Sequence, residues 1–168
     1  SKNVADGAHG THIAGVGGYS NASTSWDRTD YYQGVPSEYL ERVLWLERDR
    51  LTTLAVTEAN FENQRDAVKE EMARYYNRPY AAVIRDYLED AFAGSAYGHS
   101  VFGSVEDLER SGVSYAREFF ARYYSPDNAV MTIAGDVDFD QVKKLVEQYF
   151  GDMPRGPVRG DDISVEIE

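Results

Sequence analysis

The chain has 168 residues, no cysteine, and 29 acidic against 17 basic residues, for a net charge of -12. Disulfide staples and cysteine-ligated zinc are excluded, and so acidic a surface repels nucleic-acid backbones and anionic membranes. The apolar and aromatic content suffices for one folded core, and no apolar run reaches membrane-spanning length.

The chain starts Ser1-Lys2-Asn3-Val4, without Met, and reads as a piece of something longer. His9 to Val16 has the makings of one or two helical turns, which Gly17-Gly18 would end. Residues 19–35 alternate loosely and hold Trp, Thr and Tyr. They predict two strands, about 20–26 and 29–35, joined by a turn at Asp27-Arg28. Pro36 stops the second. Ser37 then reads as the N-cap of a helix whose stripe is Leu40, Val43, Leu44, Leu46, Leu51 and Leu54. Thr57 opens the next helix, where Thr57 with Asn60 is part of a capping box. Phe61, Val68 and Met72 lie near one face of it, and Asn77-Arg78-Pro79 ends it.

Ala81 to Phe92 predicts another helix, and Ala93 to Gly103 a glycine-rich loop. Ser104 caps a short turn, Val113 to Tyr124 is helical, and Ser125-Pro126-Asp127-Asn128 breaks it. Ala129 to Ala134 reads as a strand of buried type. Phe139 to Phe150 is a helix with Val142, Leu145, Val146 and Tyr149 on one side. Residues 151–160 read as extended, and Ile163 to Ile167 as a strand or the start of a linker. The expected fold is α+β, a largely antiparallel sheet with helices packed on one face. It forms a single incomplete domain over 1–168, with 152–168 leading towards an interdomain linker.

Few residues suggest chemistry. There is no G-x-S-x-G elbow for a serine hydrolase. The GVGG at Gly15 to Gly18 follows no strand and has no lysine for phosphates. His9 and His12 are three apart and could share a helical face, but no acid between them could serve as a general base. Surface histidines are the plainer reading. Glu71 is sharper. On a helix it shares a face with Ala67, Val68 and Tyr75, and a carboxylate there has to be paired, hydrogen-bonded or bound to metal. Glu70 falls with Asp66 on the polar side. Either a metal ligand or a boundary residue paired with a cation fits Glu71.

Six blocks in order resemble the insulinase/pitrilysin family of zinc metallopeptidases. They are SKNV at 1–4, GGYSNASTSWDRTDYYQGVP at 17–36, LERVLWLERDRL at 40–51, NQRDAVKEEM at 63–72, YGHSVFGSVEDL at 97–108 and FFARYYSPDNAVMTIAGDVD at 119–138. The resemblance implies a zinc endopeptidase. In that family an H-x-x-E-H helix supplies two histidine ligands and a water-activating glutamate. This sequence contains no such motif, and in the family it would sit just upstream of Ser1. His9 and His12 lie downstream and do not replace it.

Aligned through Arg65-Asp66-Ala67-Val68, Glu71 corresponds to the family's third zinc ligand. The supporting glutamate seven residues earlier is Gln64 here, an amide that can hydrogen-bond without adding charge. Asn21, Ala22 and Ser23 fall on the edge strand to which substrate peptide adds as a further strand. Their small side chains would leave room for it. The resemblance also implies a peptide or protein substrate and a further homologous domain, fused or separate. It implies that the chain by itself is inactive. A non-catalytic peptide-binding or structural partner of the same fold is the alternative. The block at 27–50 resembles bacterial, often periplasmic, members.

Overall fold

The computed structural model describes residues 1, 3–5 and 7–156. They gather into two compact units. One holds Ser1–Ser23, Thr29–Ala55 and residues 119–156; the other holds Thr24–Arg28 and Val56–Glu118. The fold class is α+β, mostly helical with one small open antiparallel sheet.

The first unit begins with α1 (Ala8–Ala14). Gly17 takes a left-handed φ of 77°, and Gly18 N–H bonds back to the Ile13 carbonyl at 3.0 Å. A left-handed glycine that returns a bond to the last turn is a common helix stop. Gly18 leaves no room for a side chain, since a Cβ there would lie 2.6 Å from the Gly34 carbonyl. β1 (Tyr19–Thr24) and β2 (Thr29–Gly34) then pair as a two-stranded sheet. Trp26, expected in the first strand, sits instead in a two-residue turn, where Ser25 N–H bonds the Arg28 carbonyl at 2.9 Å.

Ser37 is not a helix cap. It opens a 3-10 turn, Ser37–Tyr39, and α2 (Leu40–Thr53) follows with no side-chain cap. The Leu40 N–H bonds the Ser37 carbonyl, so the turn itself takes up that donor. The unit's core is Val4, Ile13 and Leu46, flanked by Ala8, Val35 and Val43. Leu44 is buried as well, whereas Leu54, expected on the stripe, is 42% exposed just past the helix end. α7 (Phe139–Phe150) packs on α2, and Asp138 caps it by accepting from Gln141 N–H at 2.9 Å.

The second unit contains α3 (Glu58–Tyr76), α4 (Ala81–Ala91) and α5 (Val105–Arg110). The α3 capping box is complete. Thr57 Oγ1 accepts from Asn60 N–H, and Asn60 Oδ1 accepts from Thr57 N–H at 2.8 Å. Asn thus does what Glu usually does at that position. Ser104 caps α5 by accepting from Asp107 N–H at 3.0 Å. α3 packs on α4 and α5, with Met72 and Ala81 buried. α6 (Val113–Tyr123) spans the two units in sequence.

The sheet is smaller than expected. Residues 129–134 are extended at their start, yet form no strand among the described residues, and Val130 is 95% exposed. Apolar composition marks a segment that can be a strand, but ladder hydrogen bonds from a neighbour make it one. The strand expected at 163–167 and most of the linker expected at 152–168 lie outside the described residues.

Candidate functional site

β1 offers the first candidate surface. Its six residues are all exposed, and among the described residues it pairs only with β2. Ser23 Oγ reaches Asp30 Oδ2 at 3.5 Å, so these two stand opposite each other, in the register set by Ser25 and Arg28. In that register Ser25 and Ser23 hydrogen-bond towards β2, and the backbone of Ala22 points to the open edge. The Ala22 N–H is taken there by its neighbour's side chain, since Asn21 Oδ1 accepts from it at 2.8 Å. The amide of Asn21 therefore caps a donor of the open edge. Sequence reasoning placed Asn21, Ala22 and Ser23 on an edge strand but missed this cap. An Asn within an edge strand is its only signal.

The turn that ends the hairpin belongs to the second unit and is held there. Trp26 Nε1–H donates to the His99 carbonyl at 2.9 Å, and Tyr97 Oη–H donates to Asp27 at 2.7 Å. The latter bond raises the Tyr97 pKa, because it is made by the neutral phenol beside a carboxylate. The His99 ring is engaged with the Ser100 carbonyl at 2.9 Å. His99 is thereby a loop-fixing residue.

The second candidate surface is one face of α3. Gln64, Ala67, Glu71 and Tyr75 follow at three- and four-residue spacing, and all four are exposed. This corrects the reason for singling out Glu71. Of the residues on the face it shares, Ala67 and Tyr75 are exposed and Val68 is half-buried, and the buried residue of α3 is Met72. Among the described residues Glu71 has no hydrogen bond or ion pair, whereas Lys69 is held by Glu109 at 2.8 Å and Arg65 by Glu62. Its carboxylate is free to take a ligand, and Ala67 one turn before it leaves space alongside.

The histidines of α1 do not converge. His12 is exposed, and His9 Nε2 lies 3.2 Å from Glu47 Oε1. Glu47 also accepts from Gln33 at 2.7 Å and pairs with Arg50. Burial pushes the Glu47 pKa up, but the His9 bond and the Arg50 charge outweigh it, and the group ends below its ordinary value of 4.5. Asp49, only 4% exposed, accepts from Asn3 at 2.6 Å and Thr53 at 2.7 Å. Burial opposes its ionisation, and the bonds from Ser1, Thr53 and Asn3 bring it below its ordinary 3.8. Both acids are structural and tie α2 to the start of the chain. A pattern search for apolar stripes passes over them.

Among the described residues no group of three or more His, Cys, Asp or Glu side chains can hold a metal. No described helix is long and apolar enough to cross a membrane.

Residues 1–105 match the model of the insulinase family of peptidases, M16, and residues 114–166 match the M16 peptidase inactive domain. The chain belongs to the insulinase (M16) peptidase family. It is 28% identical over 89% of its length to the zinc protease PqqE of Helicobacter pylori, and spans about a third (34%) of that protein. The crystal structure of a protease from Helicobacter pylori superposes with a TM-score of 0.87 at 26% identity, covering 97% of this chain and 39% of that one. The first half of the periplasmic protease PqqL from Escherichia coli superposes with a TM-score of 0.74 at 18% identity, over 88% of this chain and 33% of that one, which shows a shared fold.

Zinc is the metal this membership implies. The residues present fit it in one respect: a free, exposed carboxylate at Glu71 is a suitable oxygen ligand. They do not amount to a site by themselves, because the described residues bring no second and third ligand beside it.

Proposed function

We propose that this chain is the peptide-holding part of an M16 peptidase fold. The observation that carries it is the open β1 edge, exposed along its whole length, with one edge N–H already capped by an amide. A peptide laid along β1 as a third strand would bond Ala22 through the backbone and displace the Asn21 side chain. The amide would then be free to bond the peptide itself. Grip of this kind uses main-chain groups and asks little of the peptide's sequence. Small side chains at Ala22 and Ser23 keep the approach clear.

In the zinc endopeptidase form of this proposal, Glu71 supplies one ligand and Gln64 orients it from the preceding turns. When bound, zinc would polarise a scissile carbonyl and a water. Two histidines and a general base from an H-x-x-E-H segment are then required beyond this chain. The second form is a non-catalytic peptide-binding or structural partner of the same fold. It is favoured by the lack of a three-ligand group among the described residues and by the neutral Gln64. The match of 114–166 to the inactive domain favours it too. In either form the chain is one incomplete domain that works with a further homologous domain, in a bacterial periplasmic setting.

Ala22→Trp tests the shared part. It should abolish peptide binding or hydrolysis by the longer protein while leaving bound zinc unchanged, and Ala22→Ser should be mild. Peptide handling at the parental level by Ala22→Trp would make Asn21 to Ser23 an ordinary polar edge. The gene sequence preceding Ser1 separates the two forms: H-x-x-E-H there supports the endopeptidase, and its absence the partner.

A further inference from the structure

We propose that a hollow between the start of α2 and the end of α7 takes an arginine or lysine side chain from a partner protein. The hollow has a volume of about 390 Å³ and is lined by Glu38, Tyr39, Glu41, Arg42, Trp45 and Tyr149. Residues 38, 41, 42 and 45 follow at helical spacing, so one face of the α2 region supplies both carboxylates and the indole. Tyr149 comes from the last turn of α7 and donates its hydroxyl to Glu41 at 2.8 Å, which fixes that carboxylate against an aromatic edge. Three aromatic rings and two carboxylates around one space define a cation site. Ring faces carry negative charge density, and indole carries the most.

Three observations choose a cation over other occupants. Trp45 is 39% exposed, so its indole face is open to a cation approaching from solvent. Glu38 has no hydrogen bond or ion pair among the described residues, so one carboxylate is unspent. Arg42 already lays its guanidinium over the Tyr39 ring, 5.1 Å from its centroid, and makes no ion pair among the described residues. The chain thus shows on its own side chain the cation–π contact that the hollow would offer a visitor. An anion would meet Glu38 and Glu41, and an apolar group would strand them from water. The volume matches a small-ligand pocket, roughly 300–1,000 Å³, but the hollow is open, which suits a side chain presented by a protein surface. The net charge of -12 favours a basic partner over the same approach. This surface is independent of the peptide edge on β1, and either proposal can fail alone.

The test is a nuclear magnetic resonance titration of the isotopically labelled 168-residue chain, read at the Trp45 indole N–H. The probe is a blocked glycine peptide with one arginine, and the control carries citrulline, its neutral isostere. The arginine peptide should shift Trp45 saturably and the citrulline peptide should not. Glu38→Gln should weaken binding about two- to five-fold, the scale of one exposed charge or cation–π contact. Arg42→Ala should tighten it by a similar factor, because the resident cation no longer competes. Urea unfolding midpoints of both variants should match the parent, since both side chains are exposed. Equal shifts with citrulline, an unmoved Trp45, or unchanged affinity in both variants would overturn the proposal.

Discussion

Helices α2 and α3 use their side chains in opposite ways. α2 buries Leu44, Leu46 and Asp49, and its half-buried Glu47 is held by three partners. α3 is longer, with 19 residues, yet buries only Met72 and leaves Gln64, Ala67, Glu71 and Tyr75 bare. An acid enclosed by a fold needs partners to stay ionised, and so becomes part of the scaffold. An acid on a bare face without partners costs the fold nothing and stays open for a ligand. The acids of α2 are of the first kind and Glu71 is of the second.

That contrast can be broken most sharply at Glu71. In the longer protein, if it carries an H-x-x-E-H segment, Glu71→Gln should cut peptide hydrolysis by orders of magnitude, because an amide is a far poorer zinc ligand. Its stability should stay within about 0.5 kcal/mol of the parent, as for other exposed positions. Steady-state hydrolysis, bound-metal analysis and urea unfolding decide together. A large loss of stability would place Glu71 with the scaffold acids.

The reverse pattern belongs to α2. Leu46 is 1% exposed, and Leu46→Ala should cost about 2–5 kcal/mol of stability, through lost burial and the cavity left behind. Denaturant unfolding of the chain measures it. A cost near zero would mean that the small core around Val4, Ile13 and Leu46 collapses without penalty.

A smaller effect follows from Glu47. Its pKa in the folded chain lies below the ordinary 4.5. Its contribution is therefore full above that value and is lost as pH falls through the lower, folded-state value. Stability measured from pH 6 down to about 3 should decline less steeply in Glu47→Gln than in the parent. Parallel curves would remove Glu47 from the scaffold. The smallest change concerns the start of α3. Thr57→Ala removes one side of the capping box and should cost about 1 kcal/mol, visible as a shifted unfolding midpoint with hydrolysis unaffected.

Much of the candidate site is legible without coordinates. The open strand at Asn21 to Ser23 and the placement of Glu71 on a helix both follow from pattern and resemblance. The exposure of Glu71 does not, because Ala67, Val68 and Tyr75 beside it look like a buried face. Whether such a face is covered depends on what packs there, which spacing within one helix cannot report. The amide cap of Asn21 on Ala22 escaped for a similar reason. It depends on which backbone groups point to the open edge, and hence on register.

What the amino-acid order determined alone is the set of local decisions. Gly17-Gly18 stops α1, Thr57-Asn60 and Ser104 start α3 and α5, and Ser125-Pro126-Asp127-Asn128 breaks the chain after α6. Each rests on dihedral preference or a bond spanning a few residues, so the information is complete within the stretch itself. The tertiary structure decided the rest. It made Glu47 and Asp49 scaffold acids by bringing His9, Gln33 and Asn3 to them. It left residues 129–134 without a ladder among the described residues, though their composition is that of a buried strand. Burial and strand pairing are properties of two segments at once, and the second partner is named nowhere in the first.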